Sequence, residues 1–181
     1  MNVACFDLET SNLSANFGIL LCANVKPWHG KSRTLHIGQF EHEHRSNDKA
    51  LVEAVIDELN KYTILVAHNG VRFDRPFLNS RAAMWGVPPL SPKGNMVDPV
   101  QLARKHLRMS YNGLDSVAQF LQTKHQKTPV QGHLWIKAVL DRDPIALNEI
   151  IKHCELDVLV LEEVMEKLVP FVGQINQWGS A

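Results

Sequence analysis

The sequence predicts a mixed α/β domain, and three observations predict it. Three short apolar segments separated by turn residues fill the first forty positions. Helical patterns and short apolar runs then alternate. The chain closes on one long amphipathic stretch that starts at Asp143-Pro144. A run of strands followed by alternating helices and strands implies a sheet that is antiparallel at its start and parallel later, flanked by helices.

The elements follow in order. Met1 to Phe6 reads as a buried strand ending at Asp7, Phe17 to Val25 as a second strand, and Ser32 to Phe40 as a third with alternating character. Asn16-Phe17-Gly18 and 27–31 supply the turns of an antiparallel meander. Residues 41–47 read as a polar loop, and apolar residues at 51, 52, 55, 56 and 59 predict a helix over 48–61. Ile64 to Ala67 is a short strand, expected parallel to the first, and a helix over 73–85 ends at Gly86. Met96-Val97 is another short strand. Asp98-Pro99 opens a helix to about Leu107 in the manner of a cap followed by proline. Asn112, with Asp115 three residues on, reads as the cap of a helix to Leu121; 122–128 reads as a mobile loop; the last helix runs from 143 to about 168. Residues 1–170 are expected to form one domain and 171–181 a C-terminal tail.

Composition sets outer limits. The 181 residues suit one core, and 45% hydrophobic with 21% charged is ordinary for a globular chain. No apolar run approaches the roughly 18 residues of a membrane span, and the N-terminal segment lacks the basic start of a secretory signal. Cys5, Cys22 and Cys154 are odd in number and lie in apolar surroundings, which predicts buried free thiols and a reducing, cytoplasmic setting. Net charge is zero, but residues 72–137 carry 10 basic and 3 acidic side chains. That local excess fits either a phosphate polymer held by charge or a solvated surface whose charges cluster.

Three acidic segments carry chemistry. In Phe6-Asp7-Leu8-Glu9-Thr10, alternation along a strand aims Asp7 and Glu9 to one face while Phe6 and Leu8 pack on the other. Two adjacent carboxylates repel unless a cation lies between them, and hard divalent cations take such oxygen ligands. Alone, the pair is as readily a polar strand end facing water. In His68-Asn69-Gly70-Val71-Arg72-Phe73-Asp74, the acid falls in the first turn of a helix, where the dipole alone favours it. In His153-Cys154-Glu155-Leu156-Asp157, His153 and Asp157 share a helical face with Ile150, Cys154, Val158 and Leu161. A carboxylate on so apolar a face needs a partner, either His153 itself or a metal.

In order and spacing these segments resemble the three motifs of the DEDD 3′–5′ exonucleases of the ribonuclease-H-like superfamily, over about residues 3 to 165. The resemblance implies a ribonuclease-H-like mixed sheet, with three antiparallel strands plus parallel strands. It also implies two divalent cations, Mg2+ or Mn2+, held by Asp7, Glu9, Asp74 and Asp157. Asp7, Glu9 and Asp157 would hold one ion; Asp7 would reach the second, with Asp74. The implied reaction is hydrolysis at the 3′ end of single-stranded nucleic acid, DNA favoured, to nucleoside 5′-monophosphates. RNA as substrate and a catalytically weak binding module are the alternatives. Thr10, Ser11, Leu13, Asn69 and Phe73 fall where the family meets substrate, though a polar loop and a helix start account for them equally well. One departure stands out: His153 lies four residues before Asp157, the spacing of the family's tyrosine branch, whereas its histidine branch uses five. His153 either replaces the tyrosine in orienting or deprotonating the attacking water, or is a substitution that lowers activity. Asp98 reads as a helix cap, and Glu41-His42-Glu43-His44 as a solvated loop.

Overall fold

The computed structural model describes residues 2–40, 47–91, 95–127 and 131–172. Five strands form one sheet: β1 (Val3–Thr10), β2 (Leu20–Pro27), β3 (Arg33–His36), β4 (Ile64–Val66) and β5 (Asn95–Val97). Their spatial order is β3-β2-β1-β4-β5. The β1–β2 and β2–β3 pairs are antiparallel, and β1–β4 and β4–β5 are parallel. The mixed sheet expected from the sequence is therefore present, with the motif-bearing β1 at its centre.

Among the described residues, six α-helices flank it: α1 (Lys49–Leu59), α2 (Asp74–Trp85), α3 (Pro99–His106), α4 (Leu114–Leu121), α5 (His133–Ile136) and α6 (Pro144–Val172). Alternation along β1 divides the core. Phe6 and Leu8 pack with Leu51, Val55 and Leu78 of α1 and α2. Cys5 packs with Val117, Val158 and Leu161 of α4 and α6. Phe6 and Leu78 are fully buried, each stabilising the fold by about 1.5–3 kcal/mol relative to exposure. All three cysteines are buried free thiols.

Several boundaries differ from the sequence reading, each for a local reason. The third strand stops at His36, and Ile37–Gln39 turns into a 3-10 helix in which the Gln39 side chain bonds back to the His36 main chain. α4 is capped by the main chain at Gly113, so Asn112 is not its cap; the Asn112 carbonyl faces His68 instead, 3.0 Å from Nε2. The segment after α4 is joined to α6, where the His125 main chain and ring both bond Glu163, at 2.9 and 2.6 Å. Glu163's carboxyl is held low in consequence, because these bonds outweigh the opposing effect of burial. Residues 133–141, read as no element, form α5 and a π-helical turn, Lys137–Asp141. Glu41 to His44 and Thr128 lie outside the described residues.

One buried network fixes the loop that follows β1. Asp48, fully buried, accepts from the Leu20 amide at 2.7 Å, from Arg81 at 2.6 Å and from the Trp85 indole at 2.7 Å. Arg81 also donates to the Ala15 carbonyl at 3.1 Å. Two helices, a strand end and the β1–β2 loop thus meet on one ion pair.

Candidate active site

β1 delivers Asp7 and Glu9 to the face of the sheet that α6 covers. Asp7 stands opposite Asn24 of β2 and Glu9 opposite Cys22, and the register slips between Glu9 and Thr10. The irregularity bends the strand just where the second carboxylate projects, and pairing resumes at Thr10 with Leu20. α6 supplies His153 and Asp157 from adjacent turns, buried at 7% and 2% exposure. The Cys154 thiol faces the Asp7 carbonyl, 3.5 Å away. α2 supplies Asp74 as its first residue, and main-chain bonds from Asp74 itself and from Leu8 hold the carboxyl. Asp74 is therefore positioned by the strand segment between Asp7 and Glu9.

Five of the residues singled out from the sequence converge here. His153 Nε2 lies 3.8 Å from Glu9 Oε1 and 3.6 Å from Asp157 Oδ2. Among the described residues, Glu9, His153 and Asp157 bring ligating atoms within 4.8 Å of one another. Asp7, the third member of the trio that the resemblance implies, lies close enough for its charge to act on both Glu9 and Asp157.

The electrostatics show a site short of positive charge. Burial pushes Asp7 up to about 7, and the neighbouring Asp157 adds to the shift. Burial pushes Glu9 up to about 9, with Asp7 and Asp157 adding. Asp74 is raised by burial and then by Asp7. His153 is lowered, chiefly by burial, so its imidazole is neutral at pH 7. Two buried polar atoms, Asp157 Oδ1 and His153 Nδ1, have no hydrogen-bond partner. Clustered acids, raised carboxyls and an orphaned oxygen are what a hard divalent cation would satisfy.

One residue that touches this cluster escaped the sequence reading. Lys127, after α4, sets its ammonium against Asp157 Oδ2. Burial lowers its pKa, but the Asp157 charge and hydrogen bond outweigh this and leave it raised. The only sequence signal was a basic residue in the positively charged middle segment, which has ten such residues.

The remaining candidates divide by placement. Thr10 Oγ1 donates to the Asn12 carbonyl at 3.0 Å, and Ser11 Oγ accepts from the Ile19 amide at 2.9 Å, so both hydroxyls brace the loop. Leu13, at the same loop, is 82% exposed. Phe73 packs against the core and tilts over Phe77, with ring centroids 5.8 Å apart. Asn69 is exposed in a left-handed conformation, φ 63°, with its amide donating to Asp98 at 2.9 Å. Asp98 also accepts from the Val100 amide at 3.0 Å, the cap expected of it. His29, Glu162 and Glu166 form another candidate group, but the Glu162 carboxylate already carries the Lys26 ammonium at 2.6 Å.

The family model that matches covers residues 4–169 and is that of the RNase H superfamily. The chain belongs to the RNase H superfamily. Among solved structures it is similar to the family B DNA polymerase from the hyperthermophilic archaeon Pyrobaculum calidifontis, with a TM-score of 0.76 at 21% identity. The match covers 95% of this chain and 25% of the polymerase chain, so this RNase H superfamily member spans about a quarter of that protein. No curated protein matches the sequence. At this identity the polymerase supports the fold; the case for chemistry rests on the carboxylates.

Proposed function

We propose that this RNase H superfamily member is a divalent-metal-dependent 3′–5′ exonuclease that trims single-stranded nucleic acid, DNA favoured, to nucleoside 5′-monophosphates. The observation that carries the reading is the convergence of Asp7, Glu9, Asp74 and Asp157, from three distant segments, with raised carboxyls and an orphaned Asp157 oxygen. The likeness to part of a DNA polymerase supports a nucleic-acid substrate.

Asp7, Glu9 and Asp157 would hold one cation, and Asp74 with Asp7 a second. Bound there, divalent ions neutralise phosphate charge and make water more acidic. His153, neutral and facing Glu9 and Asp157 through Nε2, takes the proton of the attacking water at that atom. The water oxygen bonds to phosphorus, the bond from phosphorus to the 3′-oxygen breaks, and the shortened strand leaves with that oxygen. Leu13, exposed on the loop beyond Glu9, meets the terminal nucleotide.

The test is hydrolysis of 5′-labelled single-stranded DNA and RNA in Mg2+, Mn2+ or EDTA. A ladder of shortening products in either metal, lost in EDTA, is expected. Cleavage of a closed circle, release of the labelled 5′ nucleotide as first product, or full activity in EDTA would each refute the reading.

A further inference from the structure

A row of polar side chains crosses the sheet from the first carboxylate. The strands pair so that Asp7 of β1 stands opposite Asn24 of β2, and Asn24 opposite Thr34 of β3. Residues directly opposite on antiparallel strands share a face, so all three project on the side that α6 covers. Asn24 is fully buried. Its Nδ2 donates to Thr34 Oγ1 at 2.8 Å, and Thr34 Oγ1 donates to Glu155 Oε1 of α6 at 2.5 Å. Glu155 lies between His153 and Asp157, so these bonds join the row to the helix turns that bear the site.

The chain of bonds has a direction. A hydroxyl carries one proton, and that of Thr34 goes to the Glu155 carboxylate. Thr34 can therefore only accept from Asn24, which fixes Nδ2 toward β3 and turns Oδ1 to the other side, where β1 and Asp7 lie. Among the described residues nothing donates to this buried oxygen. A buried acceptor without a protein donor is kept where a water or an ion supplies the partner. Asp157 Oδ1 is in the same condition, and the Asp157 charge acts on Asp7. β2 and α6 thus each bring an orphaned oxygen to the neighbourhood of one carboxylate.

Building on the metal-binding part of the exonuclease reading, we propose that Asn24 is a positioning residue of the metal centre, its Oδ1 accepting a hydrogen bond from water held by the cation at Asp7. Mg2+ gives up water reluctantly, so a fixed acceptor beside the site favours the hydrated ion and orients it. An amide suits this place because it adds an acceptor without adding a further negative charge to the clustered acids. Thr34 and Glu155 act through Asn24, by keeping its amide from turning over.

The experiment is calorimetric titration with Mg2+ and with Mn2+, without nucleic acid, of Asn24→Leu, Asn24→Asp and Thr34→Val, with metal-free melting to confirm folding. Asn24→Leu removes the acceptor at similar volume and should weaken Mg2+ binding about tenfold or more. Mn2+ sheds water more readily and should lose less, a change of ratio that a packing role would not produce. Asn24→Asp keeps an oxygen at the same place and adds charge, so it should bind Mg2+ more tightly than the unaltered protein. Thr34→Val keeps its shape at a half-buried edge position, frees the Asn24 amide to turn over, and should weaken Mg2+ by a smaller factor. Unchanged Mg2+ affinity in Thr34→Val and in each folded Asn24 variant, or weaker binding by Asn24→Asp, would overturn the role of Asn24 and leave the metal centre standing. Failure of the unaltered protein to bind either ion would overturn the metal centre itself. Mg2+ binding that depends on Asn24, in a protein that degrades no nucleic acid, would refute the exonuclease reading and uphold Asn24.

Discussion

The ammonium of Lys127 rests against Oδ2 of Asp157, a cation from the segment after α4 set among the clustered carboxylates. Asp157 is 2% exposed, and its other oxygen has no partner. Lys127 thus supplies part of the positive charge that the cluster of acids requires, on the carboxylate that the proposed metal would also use.

This arrangement makes Lys127 a competitor for the metal. Lys127→Met should tighten Mg2+ binding about tenfold, roughly 1.4 kcal/mol, because an opposing charge beside the site is removed. The metal-free protein should lose about 1 kcal/mol, a modest figure because the Lys127 side chain is 36% exposed. Titration calorimetry and thermal unfolding with and without Mg2+ read both. Weaker Mg2+ binding in the variant would mean that Lys127 supports the metal site rather than competing with it.

The raised carboxyls predict how stability varies with pH. Asp7 moves from 3.8 to about 7 and Glu9 from 4.5 to about 9 on folding. Both bind protons more tightly in the folded state, so their contribution is full below about pH 4 and is lost as pH rises through about 7 to 9. Over that window the metal-free protein should become less stable as pH rises, and Mg2+ should restore what is lost. Asp7→Asn should flatten the decline and raise the metal-free melting temperature at pH 8, while abolishing hydrolysis. Metal binding at pH 7 should also release protons, detectable in buffers of different ionisation enthalpy. A melting curve independent of pH across this range would contradict the electrostatics.

Asp48 makes a different kind of prediction. Its pair with Arg81 is buried on both sides, at 0% and 4% exposure. Asp48→Ala removes the carboxylate that the Arg81 guanidinium, the Leu20 amide and the Trp85 indole share. Such a loss costs about 3–5 kcal/mol in denaturant unfolding. A cost under about 1 kcal/mol would show that water replaces the carboxylate freely.

What the sequence made legible follows from how local its causes are. Asp7 and Glu9 share a face because a strand alternates, and His153 and Asp157 share one because a helix repeats near four; neither needs a tertiary contact. Asp74 was readable as a first-turn acid from helix position alone, whereas the Leu8 main chain that holds its carboxyl comes from a distant strand. The partners of Lys127 and Arg81 were not readable. Lys127 is 30 residues from Asp157, and Arg81 is 33 from Asp48, with no periodic pattern linking either pair. Asn112 was misjudged as a cap because its type suits one, yet the main chain at Gly113 begins the helix and leaves Asn112 to meet His68.

His153 is the residue on which the chemistry turns, because two roles fit its geometry. Nε2 lies within 4 Å of both Glu9 and Asp157, so it is placed either to accept a proton from water or to bind the ion itself. Burial lowers its pKa, which keeps the imidazole neutral through pH 7 and confines its protonation to the acid side. As a base, it predicts a rate that falls at acid pH as the ring gains its proton. His153→Ala should then lose at least about 100-fold in kcat yet bind Mg2+ with little change, since general-base contributions run about 10²–10⁴-fold. His153→Tyr, with a hydroxyl at the same helical offset, should keep more activity than the alanine variant and lose the imidazole limb of the pH profile. As a ligand, the imidazole would instead favour Mn2+ over Mg2+, and His153→Ala would weaken Mn2+ binding most. The calorimetric Mn2+/Mg2+ ratio and the pH profile together separate the two. Wild-type rates for both variants at every pH would reduce His153 to packing against α6's neighbours.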